Sequence, residues 1–140
     1  MVQFRELDDR VPFANQLGES VGPMVFMNTF HVAPEDVDGF MEAWTADGEF
    51  MNKQPGLVST QLHRGIGGST TFINVVEWES VEAVRAAVTQ PEFQASLSRY
   101  PYSSVASPHI FMKVAVPGIC GDCDVHRHRR NQDSIHADQR

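Results

Sequence analysis

Asn74 and Trp78 are the residues whose types and spacing could do chemistry, an amide and an indole on one apolar run. They stand four apart in the apolar run 70–78, so in a strand both point to one face, together with Phe72 and Val76. An amide set inside an apolar stripe must find hydrogen bonds or cost roughly 1–3 kcal/mol. It can meet that need by capping a backbone group, with Trp78 as plain core, or by binding a ligand. In the second case Asn74 would hold a phenolic or carbonyl oxygen and stabilise the oxyanion that forms there. Trp78 would offer a flat wall to a polycyclic ring and a single N–H donor. Asn28 is a third candidate, in the run 24–32, with Phe26 and Phe30 flanking it on its own face.

Proton transfer at such a site needs a base. His31, His63 and His109 are the candidates among the histidines, since an unperturbed imidazole titrates near neutrality. A lone histidine on a strand is more often surface or satisfied core. His63 neighbours Arg64, His109 stands at the entrance to the last expected strand, and His31 falls on the face opposite Asn28. Arg99, Tyr100 and Tyr102 sit together before that strand, where either tyrosine could present a phenol to a ligand or simply flank a turn fixed by Pro101. The tail holds Cys120 and Cys123 in a C-x-x-C, with His126 and His128 close behind. Two thiolates and two imidazoles would satisfy tetrahedral zinc. The ordinary reading is a polar tail with no metal, and that is the expectation.

These residues need a scaffold, and the chain supplies one. With 41% apolar and 21% charged residues, 140 residues suffice for a single globular domain with its own core. Residues 1–22 read as an arm that packs on the domain or on a neighbouring subunit, 23–117 as the domain, and 118–140 as the tail. The run 24–32 is strand-like. Pro34, Glu35 and Asp36 suit a helix start, and Val37, Phe40, Met41, Trp44 and Met51 follow at helical spacing, with Asp47 placed on the outside. Strands are expected at 57–64 and 70–78, a helix capped by Ser80, a short helix opened by Pro91, and a last strand at 110–116. The order β-α-β-β-α-β is that of a ferredoxin-like α+β domain, a split βαβ with a four-stranded antiparallel sheet and helices on one face. Since the strands are apolar on both faces, a partner subunit is the economical cover for the other, which predicts a homodimer.

Charge narrows the partners. The net charge is −7, and the four Asp and four Arg after Pro117 cancel, so the acidity belongs to the domain. An acidic body without clustered Lys or Arg is unsuited to nucleic acid or to anionic membrane. The first residues carry no apolar signal segment and no run is long enough to span a membrane, so a cytoplasmic protein is expected.

Four pieces of the chain resemble the antibiotic-biosynthesis monooxygenase superfamily of dimeric α+β barrels. They are Val-Phe-Met-Asn-Thr-Phe at 25–30, Gln-Pro-Gly-Leu-Val-Ser-Thr-Gln-Leu-His-Arg at 54–64, Phe-Ile-Asn-Val-Val-Glu-Trp-Glu-Ser at 72–80, and Pro-Glu-Phe at 91–93. The resemblance covers roughly residues 22 to 116, with Asn-x-x-x-Trp-Glu-Ser its most specific string. It implies that Asn74 and Trp78 match an Asn and a Trp of the cofactor-free, quinone-forming oxygenases of aromatic polyketide pathways. Those enzymes also carry a helix Tyr where this chain has Val84. The haem-degrading branch shares an Asn matching Asn28, but its Trp and His fall near Ala87 and Leu97 here, which argues against haem. The implied function is a cofactor-independent monooxygenase that uses O₂ to convert an aromatic phenol or hydroquinone to a quinone. Asn74, Trp78 and Asn28 would be catalytic, and Phe26, Phe30, Phe72, His63, Arg99, Tyr100 and Tyr102 would bind substrate. A polyketide cyclase or isomerase using the same cavity, and a non-catalytic small-molecule-binding dimer, are the alternatives.

Overall fold

The computed structural model describes residues 1–121. Along the chain run β1 (Gln3–Phe4), α1 (Phe13–Gln16), β2 (Met24–His31), α2 (Val37–Met51), β3 (Leu57–Arg64), β4 (Thr71–Trp78), α3 (Val81–Val88), α4 (Pro91–Ser96) and β5 (Val105–Phe111). The local causes are those the sequence suggests. Pro34 opens a 3₁₀ turn that leads into α2, with Glu35 and Asp36 at its positive end. Ser80 caps α3 by accepting a hydrogen bond from the Ala83 N–H at 3.1 Å. Pro91 opens α4.

The strands form one sheet in the order β1-β5-β2-β4-β3. β2 pairs antiparallel with both β4 and β5, and β3 pairs antiparallel with β4. This is the ferredoxin-like α+β arrangement with a fifth strand added, so the sheet has five strands and is mixed. The extra strand is β1, which lies parallel to β5. Two residues with exposed side chains leave no alternation to read. β1 is held by its backbone instead, with Gln3 N–H donating to Ser104 O and Arg5 N–H to Ala106 O, both at 2.9 Å.

The last strand is also displaced from its expected place at 110–116 to Val105–Phe111. Pro108, which argues against a strand on its own, is accommodated by the edge. Ile110 N–H points away from β2 to Gln16 Oε1 at 2.9 Å, and strand alternation puts the nitrogen of Pro108 on that same outer side, where no ladder bond is needed. The Gln16 amide also donates to Ile110 O at 3.0 Å, so one side chain from the N-terminal arm closes the free edge of β5.

Core packing gathers on one face of the sheet. Phe40 of α2 is fully buried among Phe30, Phe72 and Tyr100, with ring centroids 5.0, 4.8 and 5.7 Å away. Aromatic contacts of this kind are worth about 0.5–1.5 kcal/mol each beyond the area they bury. A second cluster joins Met24, Val76 and Trp78 of the sheet to Val81, Val84 and Ala87 of α3. Cys123, His126 and His128 lie outside the described residues. Among the described residues no helix is long and apolar enough to cross a membrane.

Gly56 ties this packing to the end of β4. Its φ of +93° is disfavoured for any other residue, a Cβ there would lie 2.6 Å from Ala83 Cβ, and its carbonyl accepts from Glu79 N–H at 2.8 Å, next to Trp78. Gly56→Ala is expected to destabilise the fold by about 1–3 kcal/mol, as measured by urea denaturation.

Candidate active site

Register places the site. Asn28 stands directly opposite Asn74, Phe26 opposite Val76, Phe30 opposite Phe72 and Met24 opposite Trp78. Residues directly opposite in an antiparallel pair share a face, so these eight side chains form one surface. Pro108 of β5 extends the Asn28–Asn74 row on one side and Leu62 of β3 on the other. Two amides thus sit side by side in the middle of an apolar strip.

Over this strip lies a cavity of about 380 Å³, within the range of small-molecule sites. The sheet supplies its floor with Phe26, Asn28, Phe30, Asn74, Val76 and Trp78. α2 contributes Trp44, Asp47, Gly48 and Met51 to the opposite wall. Phe93 and Leu97 close one side, and Tyr100 follows them. The N-terminal arm adds Val2, Phe4, Phe13 and Leu17 to the wall, so the arm lines its own domain's cavity. Phe13 packs against Phe26 with centroids 5.6 Å apart.

Three polar atoms on the floor stand out. Asn28 Oδ1, Asn74 Oδ1 and Trp78 Nε1 are all buried, and none has a hydrogen-bond partner. Each such group costs roughly 1–3 kcal/mol, a cost that a bound ligand with matching groups would remove. Rotating an amide by half a turn exchanges its oxygen for its NH₂, so each asparagine can present either an acceptor or a donor to a ligand. The indole offers only its N–H.

The structure brings together some of the sequence candidates and separates others. Asn28, Asn74, Trp78, Phe26, Phe30 and Tyr100 line the cavity. Phe72 is buried beneath it against Phe40, with the Arg64 guanidinium 5.4 Å above its ring. His63 pairs with Ile73, one residue out of phase with Asn74, and therefore projects from the opposite face, exposed. His31 pairs with Thr71 and also lies on that face, its Nδ1 3.0 Å from Thr71 Oγ1. His109 pairs with Met27, again on the far face, in mid-strand rather than at the strand's entrance. It is buried there with Nε2 3.3 Å from Gln16 Nε2. Arg99 is exposed, and Tyr102 is 78% exposed because the turn after Pro101 directs it outward. None of the three histidines borders the cavity.

Asp47 was expected on the outside of its helix and is instead 8% exposed, bordering the cavity. Its spacing from Phe40, Trp44 and Met51 gives the reason, since the steps of four, three and four residues keep it on the inner stripe. Tyr100 donates its phenol O–H to Asp47 Oδ2 at 2.6 Å. Burial, and then the negative charge of Asp47, push the Tyr100 phenol well above the ordinary tyrosine range. Val84, where the resemblance would place a tyrosine, is 1% exposed and packs in the cluster under Trp78.

Residues 23–98 match the family described as antibiotic biosynthesis monooxygenase. The chain belongs to this family. No curated protein matches the sequence. Solved structures of similar fold include SnoaB of Streptomyces nogalater, described as a cofactor-independent oxygenase. It is 24% identical with a TM-score of 0.60, over 69% of this chain and 98% of that one. A protein of Shewanella loihica PV-4 is 28% identical with a TM-score of 0.59, covering 71% of this chain and 100% of its own. A conserved protein of Methanosarcina mazei Go1 reaches the same TM-score at 16% identity, over 67% and 95%. At such identities SnoaB and the Methanosarcina protein establish the shared fold.

A raised tyrosine value has a defined consequence for stability. The folded state binds the Tyr100 proton more tightly than the unfolded chain, so the stability it brings is complete below about pH 10 and falls as pH rises beyond that point. Denaturation free energies measured across the alkaline range are expected to decline more steeply for the wild type than for Tyr100→Phe. In a near-ultraviolet titration, the same substitution should remove the late-ionising phenol.

Proposed function

We propose that this protein is a cofactor-independent monooxygenase that oxidises an electron-rich hydroxyarene, of the aromatic polyketide type, to a quinone with O₂. One observation carries the reading: Asn28, Asn74 and Trp78, whose Oδ1, Oδ1 and Nε1 are buried without a hydrogen-bond partner among the described residues, line an apolar, aromatic-walled cavity from one sheet surface. Family membership and the likeness to SnoaB support it.

The chemistry follows from the residues. Removing the hydroxyl proton of a phenol leaves an electron-rich ring anion that can reduce O₂ by one electron. Recombination at a ring carbon forms a C–O bond and gives a peroxide anion, which takes back the proton removed from the hydroxyl to become a hydroperoxide. Loss of that carbon's hydrogen with O–O cleavage then yields the quinone and water, so one oxygen atom enters the product and the other leaves as water. The substrate supplies every electron. The protein contributes an apolar enclosure, in which hydrogen bonds are stronger than in water, and donors that stabilise the anion. Asn74, with its NH₂ turned inward, and the Trp78 N–H serve as those donors. Asn28 sets the ring oxygen beside them, and Phe26 and Phe30 pack on the ring. Cyclase chemistry would use the same donors but would need no O₂.

The working unit is proposed to be a homodimer. The sheet face away from the cavity carries Val25, Met27, Ile73 and Val75, all half-buried and available to a second copy. Val75→Lys is expected to halve the mass found by sedimentation.

Purified protein, stripped of metal by a chelator, should consume O₂ with an anthrol substrate above the protein-free rate. Asn74→Ala should lower kcat roughly 100-fold, as loss of an oxyanion donor does elsewhere. Trp78→Phe should lower it less, since the ring wall remains. Product formed equally fast without O₂ would overturn the oxygenase reading in favour of a cyclase.

A further inference from the structure

The cavity has a second polar end, formed by Asp47 from α2 and Tyr100 from the segment after α4, respectively 8% and 5% exposed. Tyr100 donates to Asp47 Oδ2, and no other donor to this carboxylate is present among the described residues. Among the described residues no Lys, Arg or His forms an ion pair with it. A buried carboxylate without a counter-charge is costly, and a purely structural role would close its remaining acceptor sites as well. Here the phenol serves Oδ2 alone, on a residue that borders the cavity. The other ionisable groups on the cavity wall are Arg5 and Glu6, both from the exposed stretch after β1.

The two ends differ in chemistry. Trp78 can only donate, and an ionised Asp47 can only accept. A ligand that satisfies both carries a hydroxyl donor at one position and an oxygen acceptor at another. We propose that Asp47, positioned by Tyr100, is a second anchor of the cavity, which takes the hydroxyl of a neutral hydroxyarene and, in turnover, accepts its proton. The ligand class is a hydroxyarene with a carbonyl-type oxygen conjugated to that hydroxyl, so that the charge left by proton loss spreads to the oxygen held by the Asn74 and Trp78 donors.

In the turnover step the substrate O–H bond breaks, an O–H bond forms on Asp47, and the electron pair stays on the ring oxygen. Asp47 returns the proton to the peroxide oxygen that leaves as water. Tyr100 keeps its own proton throughout, consistent with its raised value. Only this step rests on the oxygenase reading; the anchor itself does not.

An ionised carboxylate that receives a hydroxyl must disfavour the deprotonated ligand, which brings a like charge and no donor. 4-Nitrophenol tests this, because it titrates near neutrality and its nitro group can accept from Trp78. Its binding would be measured without O₂ between about pH 5 and pH 9, by quenching of indole fluorescence. The wild type is expected to bind the phenol at least about tenfold more tightly than the phenolate. Asp47→Asn, whose amide oxygen can still accept from Tyr100, should lose that preference while its thermal transition shows a folded protein. Tyr100→Phe should keep the preference and weaken phenol binding about fivefold. Equal binding of both forms by the wild type, or an unchanged preference in Asp47→Asn, overturns the anchor. Should Asp47→Asn not fold, loss of the preference in Tyr100→Phe overturns it by itself. O₂ uptake is followed separately: a wild type that discriminates but consumes no O₂ keeps the anchor and removes the oxygenase reading.

Discussion

Asn28 faces Asn74 across the β2–β4 ladder, and the rest of the site depends on that register. Strand side chains alternate with a period of two, so a slip of one residue would carry Asn28 to the far face and break the pair. The register is held along the full length of both strands, from Met24 opposite Trp78 to His31 opposite Thr71. It is pinned at one end by Phe30 and Phe72, which pack around Phe40, and at the other by Met24 and Trp78 against α3. Apolar packing at the two ends therefore stabilises a polar middle that would not be stable alone. The cost of two unpartnered amide oxygens, roughly 1–3 kcal/mol each, is carried by that packing.

The same parity explains why the histidines stand apart. His31, His63 and His109 come from three different strands, yet their partners Thr71, Ile73 and Met27 all fall on the face opposite Asn74. The buried acidic group of the cavity comes instead from a helix. Asp47 enters from α2 and Tyr100 from the far end of the α4 segment, two elements distant in sequence that meet over the sheet. Val84 occupies the core under Trp78, where a small β-branched side chain supports the indole, and the phenol of this chain arrives from Tyr100 instead.

Much of this is legible in the sequence. β3 and β4 announce themselves by composition, and the spacing of Asn74 and Trp78 requires a shared face. Other features were hidden for physical reasons. β1 has two exposed residues and is held by main-chain bonds that leave no side-chain trace. β5 contains Pro108, which reads as a strand breaker until the outer edge is seen to need no donor from it. Asp47 reads as an outside position beside Glu35, Asp38 and Glu42, although its place in the 40-44-47-51 series puts it on the inner stripe. There the helical period was the better guide than residue type, and a carboxylate on an apolar stripe is itself a sign of function. The tyrosines could not be told apart in sequence: Tyr100 and Tyr102 flank one proline, and only the turn decides that one is buried and the other exposed.

Tyr100 also joins the chemistry of the cavity to its enclosure. Its phenol fixes Asp47, while its ring stacks on Phe30 at 6.2 Å and packs against Phe40. The N-terminal arm docks on the same stretch of chain, with Val2 N–H donating to Leu97 O at 3.1 Å and Gln3 N–H to Ser104 O on either side of Tyr100. Val2 itself is buried in the cluster that contains Tyr100. The arm that lines the cavity and the side chain that orients its carboxylate thus share one set of contacts. Displacing the arm would expose Asp47 and Tyr100 to water, which weakens every hydrogen bond the anchor makes. The arm and the Asp47–Tyr100 pair are thus packed as one unit around the cavity.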